Sequence, residues 1–294
     1  MIPALPPDTL PRASIVIAVH NRADDLLECL DSLSMQPLEA FGVEVIVVDD
    51  ASTDRVMEQI AARHPGVRLL RHAENRGPAA SRNAGSREAR GGLILYLDSD
   101  GVAAPGWLEA MMARHDGDTV LLGCPVDYHG GRVQGTPRRA TFLGKSLRCA
   151  PHRANTGPSC NLAVPRACFD ALGGFDEEIP YYFEDSDLCI RARKAGFRFA
   201  YVEQAVFRHK GNEIKKGAAI RMQERNSTYA MLKAYARAPA ARFAFSVANA
   251  AWLLGRIFLW TLRGRVGEAR LLWAGWRQAY RDFRHIRRDS RVSQ

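Results

Sequence analysis

The sequence has no Cys-x-x-Cys pair; Cys29, Cys124, Cys149, Cys160, Cys168 and Cys189 are scattered through apolar stretches. That spacing excludes a zinc ribbon and speaks against a disulfide framework, leaving reduced, mostly buried thiols of a cytosolic kind. The first residues hold Pro3, Pro6, Pro7 and Pro11 but lack the charged-then-apolar order of a secretory leader, so residues 1–13 read as an extended tail. A clean membrane-spanning run is also missing. Phe243 to Leu262 has nearly the length, but Asn249 and Arg256 interrupt it. One arginine in a bilayer core costs about 2.5–3.5 kcal/mol on insertion scales. An interfacial or protein-packed helix is expected there.

What is present is enough apolar residue, 47% against 25% charged, for a well-cored soluble chain of 294 residues. Its net charge of +9 is unevenly spread. From Arg208 onward nineteen Lys/Arg face five Asp/Glu, a balance of +14, which leaves twenty-two against twenty-seven, or −5, for residues 1–207. The expected organisation is a domain over residues 14–212 followed by a basic helical region over 213–294.

Ser14 to Val19, Glu44 to Val48, Val67 to Leu70 and Gly92 to Leu97 read as short buried strands. Helical spacing separates them over Ala23 to Met35, up to about Arg63 (with Ser52 or Thr53 as its cap), and over Gly77 to Arg90. The last of these is rich in glycine and alanine, which suits close approach to a sheet. The alternation predicts a doubly wound α/β half with parallel strands. The first strand-to-helix turn, Val19-His20-Asn21-Arg22-Ala23-Asp24, contains no glycine. A dinucleotide-binding fold, a P-loop and a sugar-1-phosphate nucleotidylyltransferase all need glycines at that turn.

The fourth strand runs into Asp98-Ser99-Asp100. Two carboxylates at a strand's carboxyl end need a positive partner, and oxygen donors there suit Mg²⁺ or Mn²⁺ carrying a diphosphate. A capped polar turn is the plainer reading of the same residues. An EF-hand places Asp98, Asp100 and Glu109 well but fails at Val102 and Ala103.

Six blocks in order, Ser14–Arg22, Glu44–Asp54, Asn75–Gly85, Leu97–Asp100, Asn161–Val164 with Gly173–Glu177, and Glu184–Arg191, resemble family 2 glycosyltransferases of GT-A fold. The resemblance covers residues 14–210 and implies a mixed, mostly parallel sheet flanked by helices, with an inverting, metal-dependent transfer. It implies that Asp50 holds the nucleobase. Ala18, His20, Asn21 and Arg22 would line the nucleotide-sugar site, with Gly77, Arg82 and Ser99. Relatives more often carry Tyr or Phe where His20 stands. Arg22 and Arg82 offer planar donors to diphosphate or base oxygens. Asp98 would serve ribose and cation, Asp100 the cation directly, and His209, just past the strand-like Phe197 to Val202, a third ligand position. Asp185 matches the family's general base, with Glu184 as the runner-up. As plain chemistry, the acids opening this helix favour its N-terminus, and Asp187 is placed to pair with Arg191. Tyr181, Tyr182, Phe183 and Trp107 are candidates to stack on an acceptor sugar, although Trp107 reads equally as core.

From Leu271 to Arg288, one stripe collects Leu272, Trp276, Ala279, Phe283 and Ile286, with Trp273 and Tyr280 at its edge. Arg270, Arg277, Arg281, Arg284 and Arg288 form a second stripe. That pairing suits an anionic membrane surface, and a packing helix with a solvated basic face is the plainer alternative. No nucleic-acid motif accompanies the arginines. The resulting reading is a glycosyltransferase using a UDP-, GDP- or dTDP-linked sugar, a Mg²⁺ or Mn²⁺ ion and a glycan or lipid-linked acceptor. It would serve polysaccharide or lipid-linked glycan synthesis, peripheral at the cytoplasmic face of a membrane. The alternative is a catalytically silent nucleotide- or glycan-binding relative of the same fold.

Overall fold

The computed structural model describes residues 1–6, 10–128, 137–211 and 216–292, with the backbone alone for residues 216 and 285–292. Strands β1 (Ala13–Val19), β2 (Val43–Asp49), β3 (Arg68–Arg71) and β4 (Leu93–Asp98) alternate with helices α1 (Ala23–Ser34), α2 (Val56–Arg63) and α3 (Gly77–Glu88). These four strands are mutually parallel in the order β3-β2-β1-β4, as the alternation predicts. Every residue of β2 is buried, the mark of a strand covered on both faces. The chain steps outward from β1 to β3 and then returns to lay β4 on the other side of β1. Ligands of open α/β sheets bind at such a reversal, outside the strands' carboxyl ends.

The second half supplies β5 (Gly101–Ala103), α4 (Trp107–Ala113), β6 (Thr119–Asp127), a small ribbon of β7 (Arg138–Ala140) and β8 (Ser146–Arg148), β9 (Asn161–Pro165), α5 (Arg166–Leu172), α6 (Glu184–Lys194) and β10 (Arg198–His209). One mixed eight-stranded sheet results, β3-β2-β1-β4-β9-β6-β10-β5, with β9 antiparallel to both neighbours and β5 antiparallel to β10. Asn161 pins this half. Its side chain accepts from Trp107 Nε1 at 2.9 Å and donates to the Ala205 carbonyl at 2.8 Å. Trp107 is fully buried in that contact, so it is a core residue and not an acceptor platform. All six cysteines are free thiols, five of them buried as expected.

Helices α7 (Lys216–Ala234), α8 (Pro239–Leu262) and α9 (Val266–Val292) complete the chain. The expected boundary at residues 212 and 213 lies outside the described residues. The stripe on α9 faces inward: Leu272, Ala279 and Phe283 are buried, and α9 packs on α7 and α8. It is therefore a packing element, and Arg270, Arg277, Arg281 and Arg284 form its exposed basic face. The side chains of Ile286 and Arg288 lie outside the described residues. The exposed apolar face belongs to α8 instead, where Phe243, Val247, Leu254, Phe258 and Leu262 are each more than half exposed. The two polar interruptions of α8 turn inward. Asn249 donates to Thr228 Oγ1 at 3.2 Å, and Arg256 to Glu224 Oε2 at 2.9 Å.

Gly85 sets how closely α3 approaches the sheet. A Cβ there would lie 2.5 Å from Val16 Cγ1 and 3.0 Å from Val48 Cγ2. Gly85→Ala gains up to about 1 kcal/mol of helix propensity, whereas overpacking costs about 1–3 kcal/mol. The variant should therefore lose unfolding free energy in urea titration; a net gain would show that the sheet yields at this contact.

Candidate active site

The carboxyl ends of β1, β2 and β4 open into a cavity of about 1110 Å³. Every residue singled out from the sequence as a site candidate lines it except Trp107, which is core, and Asn21 and Gly77, which act on its walls from behind. Helices α7 and α8 line it too, through Gln223, Glu224, Trp252 and Arg256.

Strand β4 ends on Asp98, and the chain turns through Ser99 and Asp100 into β5, which pairs back on β10 with Gly101 opposite His209. Gly101 is obligatory here, since a Cβ would sit 2.2 Å from the Phe207 ring. Lys210 N donates to the Asp100 carbonyl at 2.9 Å and closes the turn. His209 is thus the last residue of a strand, one longer than Phe197 to Val202 and carrying a register shift between Tyr201 and Val206. Its Nε2 lies 3.1 Å from Asp100 Oδ1 and 3.4 Å from Asp98 Oδ2. Burial alone would lower its pKa, but hydrogen bonds to both carboxylates and their charge carry it up to about 10. Burial likewise opposes ionisation of Asp98, yet Arg82 and His209 hold its carboxyl well below the usual range. Arg22 Nη1 reaches Asp100 Oδ2 at 2.8 Å. Two carboxylates and an imidazole on one point, already drawing positive partners, form an oxygen-rich donor set that fits Mg²⁺ or Mn²⁺.

Arg82 has a different geometry from the one expected. Its Nη2 donates to Asp98 Oδ1 at 2.7 Å and its Nη1 to Glu184 Oε1 at 3.0 Å. The side chain is 5% exposed, and its guanidinium carbon lies 5.8 Å from the centroid of the Phe175 ring. The guanidinium is committed to carboxylates from two elements.

Asp50 stands at the N-terminus of α3. Its Oδ1 accepts from Arg76 N at 2.9 Å and its Oδ2 from Gly77 N at 2.8 Å, with His72 Nδ1 2.8 Å from Oδ1. Gly77 takes φ of +83°, open to glycine, to present that N–H. His20 Nδ1 meets the Asp50 carbonyl at 2.8 Å. Ser52 and Thr53 do not cap α2, which begins at Val56. Both hold Asn21: Ser52 Oγ accepts from Asn21 N at 2.9 Å, and Thr53 N donates to Asn21 Oδ1 at 2.7 Å. Asp54 accepts from Ala23 N at 3.0 Å and so caps α1.

Helix α6 opens with Glu184 and Asp185. The preceding Tyr182 and Phe183 have φ of 55° and 83°, costly values for aromatic residues. Asn226 of α7, 1% exposed, holds this turn by donating to the Tyr181 carbonyl at 2.5 Å and the Tyr182 carbonyl at 3.0 Å. No motif in the sequence marks Asn226. Asp185 accepts from Ser159 N at 3.3 Å and faces the cavity. Burial raises its pKa, and burial with the neighbouring Asp185 charge raises that of Glu184, against the pull of Arg82. Asp187 pairs with Arg191 at 2.6 Å, as expected, and is structural.

This sheet order with these helices is the GT-A fold. It is shared with the mannosyltransferase PcManGT from Pyrobaculum calidifontis in complex with GDP-Man and Mn²⁺ (TM-score 0.62, 20% identity, covering 96% of this chain and 90% of that one). It is also shared with GalNAc-T7 in complex with UDP, GalNAc and Mn²⁺ (TM-score 0.60, 18% identity, 78% and 51%). Residues 14–172 match the family model of glycosyl transferase family 2, and the chain belongs to that family. Among curated relatives, the pre-mycofactocin glycosyltransferase of Mycobacterium tuberculosis (strain CDC 1551 / Oshkosh) is 32% identical over 205 residues, 67% of this chain and 42% of that protein. The chain thus spans less than half the length of that relative.

Arg82 gives the site its clearest stability signature. Removing one partner of a buried ion pair costs about 3–5 kcal/mol because a charge is left unpaired. Arg82→Met should lose that much in urea unfolding, and a loss indistinguishable from a surface substitution would show that Asp98 and Glu184 find other partners.

Proposed function

We propose that the protein transfers a sugar from a nucleotide-diphosphate sugar to an acceptor hydroxyl with inversion. Residues 14–212 form the catalytic unit, and the helices after it supply one wall of the cavity. The observation that carries this reading is one carboxylate, Asp185, lining the same cavity as the Asp98, Asp100 and His209 cluster without a salt-bridge partner among the described residues. Complexes of fold relatives with GDP-Man and Mn²⁺ and with UDP and Mn²⁺ support the donor class and the cation. Asp98, Asp100 and His209 would hold Mg²⁺ or Mn²⁺, which when bound supplies counter-charge to the departing diphosphate. Asp50, Ala18, His20 and Ser99 form the nucleotide wall, and Asn21 and Gly77 fix its backbone. Arg22, which pairs with Asp100 and lines the cavity, is placed to answer the diphosphate beside the cation.

Asp185 takes the acceptor's hydroxyl proton as the oxygen attacks the anomeric carbon. Its raised pKa brings it nearer the working pH, where a base is most effective. Glu184 is the weaker candidate, since Arg82 Nη1 occupies its Oε1. Asp185→Asn should lower kcat by about 10²–10⁴-fold with donor binding, read by thermal shift, unchanged. Glu184→Gln removes a neighbouring negative charge and frees part of Arg82, and both effects favour ionised Asp185. The acid limb of its kcat–pH profile should therefore move to lower pH. Full activity in Asp185→Asn, or a limb that moves upward in Glu184→Gln, would reassign the base.

The outer face of α8 suits a peripheral seat on an anionic membrane, and a lipid-linked glycan acceptor follows from that seat. The face carries no charge, while Arg237, Arg242, Arg263 and Arg265 crowd its two ends. Such an arrangement lies in the headgroup boundary. Burying a Leu or Phe side chain contributes about 1.5–3 kcal/mol, so Leu254→Glu with Phe258→Glu should release the protein from anionic vesicles at low and high salt alike. Retention on vesicles by the double variant would remove α8 as the contact.

A further inference from the structure

We propose that Cys160 is an additional donor to the cation site, making the site of this chain thiophilic, so that it takes Mn²⁺, Co²⁺ or Cd²⁺ in preference to Mg²⁺. The inference rests on the cation reading above. Cys160 immediately precedes β9, whose first residue, Asn161, pairs with Leu97 of β4. Antiparallel pairing therefore carries Cys160 to the same sheet edge as Asp98. A carboxylate oxygen of Asp98, Sγ of Cys160 and an imidazole nitrogen of His209 all lie within 4.8 Å of one another. Donors about 2.0–2.3 Å from one ion stand no more than about 4.6 Å apart, so this trio spans nearly what one ion spans. Cys160 is 4% exposed and lines the cavity, so its sulfur looks into the site and not into bulk water.

The donor types decide the selectivity. Carboxylates and an imidazole serve Mg²⁺ and Mn²⁺ with modest distinction, whereas a thiolate disfavours Mg²⁺, which demands oxygen, and favours borderline and soft cations. As the Sγ–cation bond forms, the thiol proton passes to solvent. Cys29 is the nearest competitor, with its Sγ 3.8 Å from the Asp98 carbonyl, but it is enclosed in the apolar core beneath the strand end and faces backbone.

The test uses the full chain with UDP or GDP, titrated with Co²⁺ and followed by near-ultraviolet absorption. Wild type and Cys29→Ser should develop a thiolate-to-cobalt charge-transfer band that Cys160→Ser and Cys160→Ala lack. Loss of an outer-sphere partner already costs about 10–100-fold in metal affinity, so Cys160→Ser should weaken Cd²⁺ binding by at least about tenfold in calorimetry. Mg²⁺ binding should be unchanged in the same variant. No band in wild type, a band persisting in Cys160→Ser, or equal losses for Cd²⁺ and Mg²⁺ would each overturn the proposal. A wild-type protein that binds none of Mn²⁺, Co²⁺ or Mg²⁺ beside the nucleotide would overturn the cation reading with it. Binding of Co²⁺ without any sulfur band would overturn the role of Cys160 alone.

Discussion

One guanidinium joins the two halves of the site. Arg82 lies on α3, yet its two terminal nitrogens end on Asp98 of β4 and Glu184 of α6. Four carboxylates, Asp98, Asp100, Glu184 and Asp185, crowd one sheet edge, and leaving any of them buried and unpaired would cost several kcal/mol, on the order of the penalties for broken buried ion pairs. Arg82 answers two of them, and Arg22 and His209 answer Asp100. Among the described residues the pairings leave Asp185 without a guanidinium of its own, held by backbone N–H groups and open to the cavity. A carboxylate with that environment keeps a raised pKa while Asp98, beside Arg82 and His209, is held ionised, and on the proposed reading that difference separates a proton acceptor from a cation seat.

The proposed base is positioned from a distance. Tyr182 and Phe183 sit in a backbone region that aromatic residues avoid, and such strain persists where surrounding structure over-determines it. Asn226 does this from α7 through two carbonyls, while Arg225 donates to the Glu178 carbonyl at 2.6 Å on the same segment. The C-terminal helices therefore belong to the site energetically as well as spatially. The division expected at residues 212 and 213 marks a change of composition, and the turn before α6 depends on residues from both sides of it.

The parts of this architecture that repeat locally were legible in the sequence. Strand runs, the parallel half and the Asp-x-Asp edge follow from neighbouring residues, and the family resemblance singled out Asp185 and His209, which line the cavity. Partner choice was not legible. Arg82 read as an anion donor because a chain of letters cannot show that Glu184, far along the chain, will rise beside it. Ser52 and Thr53 read as caps because they precede a helix, but Asn21 lies across the turn and takes both. Asn226 and Cys160 carry no periodic or motif signal, and their roles arise only when β9 and α7 reach the strand ends.

Helices α8 and α9 make the same point in a form that bears on function. Both are amphipathic, and α9 has the richer aromatic stripe, yet α9 spends its stripe on α7 and α8 while α8 leaves its own outward. The difference lies in the polar residues of α8. Asn249 and Arg256, which seem to break an apolar run, find Thr228 and Glu224 on α7 and fix which side of α8 turns inward. At 100° per residue, a two-residue step rotates about 200°. Trp252 and Arg256 therefore face the cavity while Leu254 and Phe258 face away from it. A helix is about 10–12 Å across with its side chains, so a surface on which α8 rests lies one helix width from the cavity wall. An acceptor carried by that surface would have that width to cross to enter the cavity that Asp185 lines, which is why the position of α8 supports a lipid-linked acceptor more strongly than its composition does.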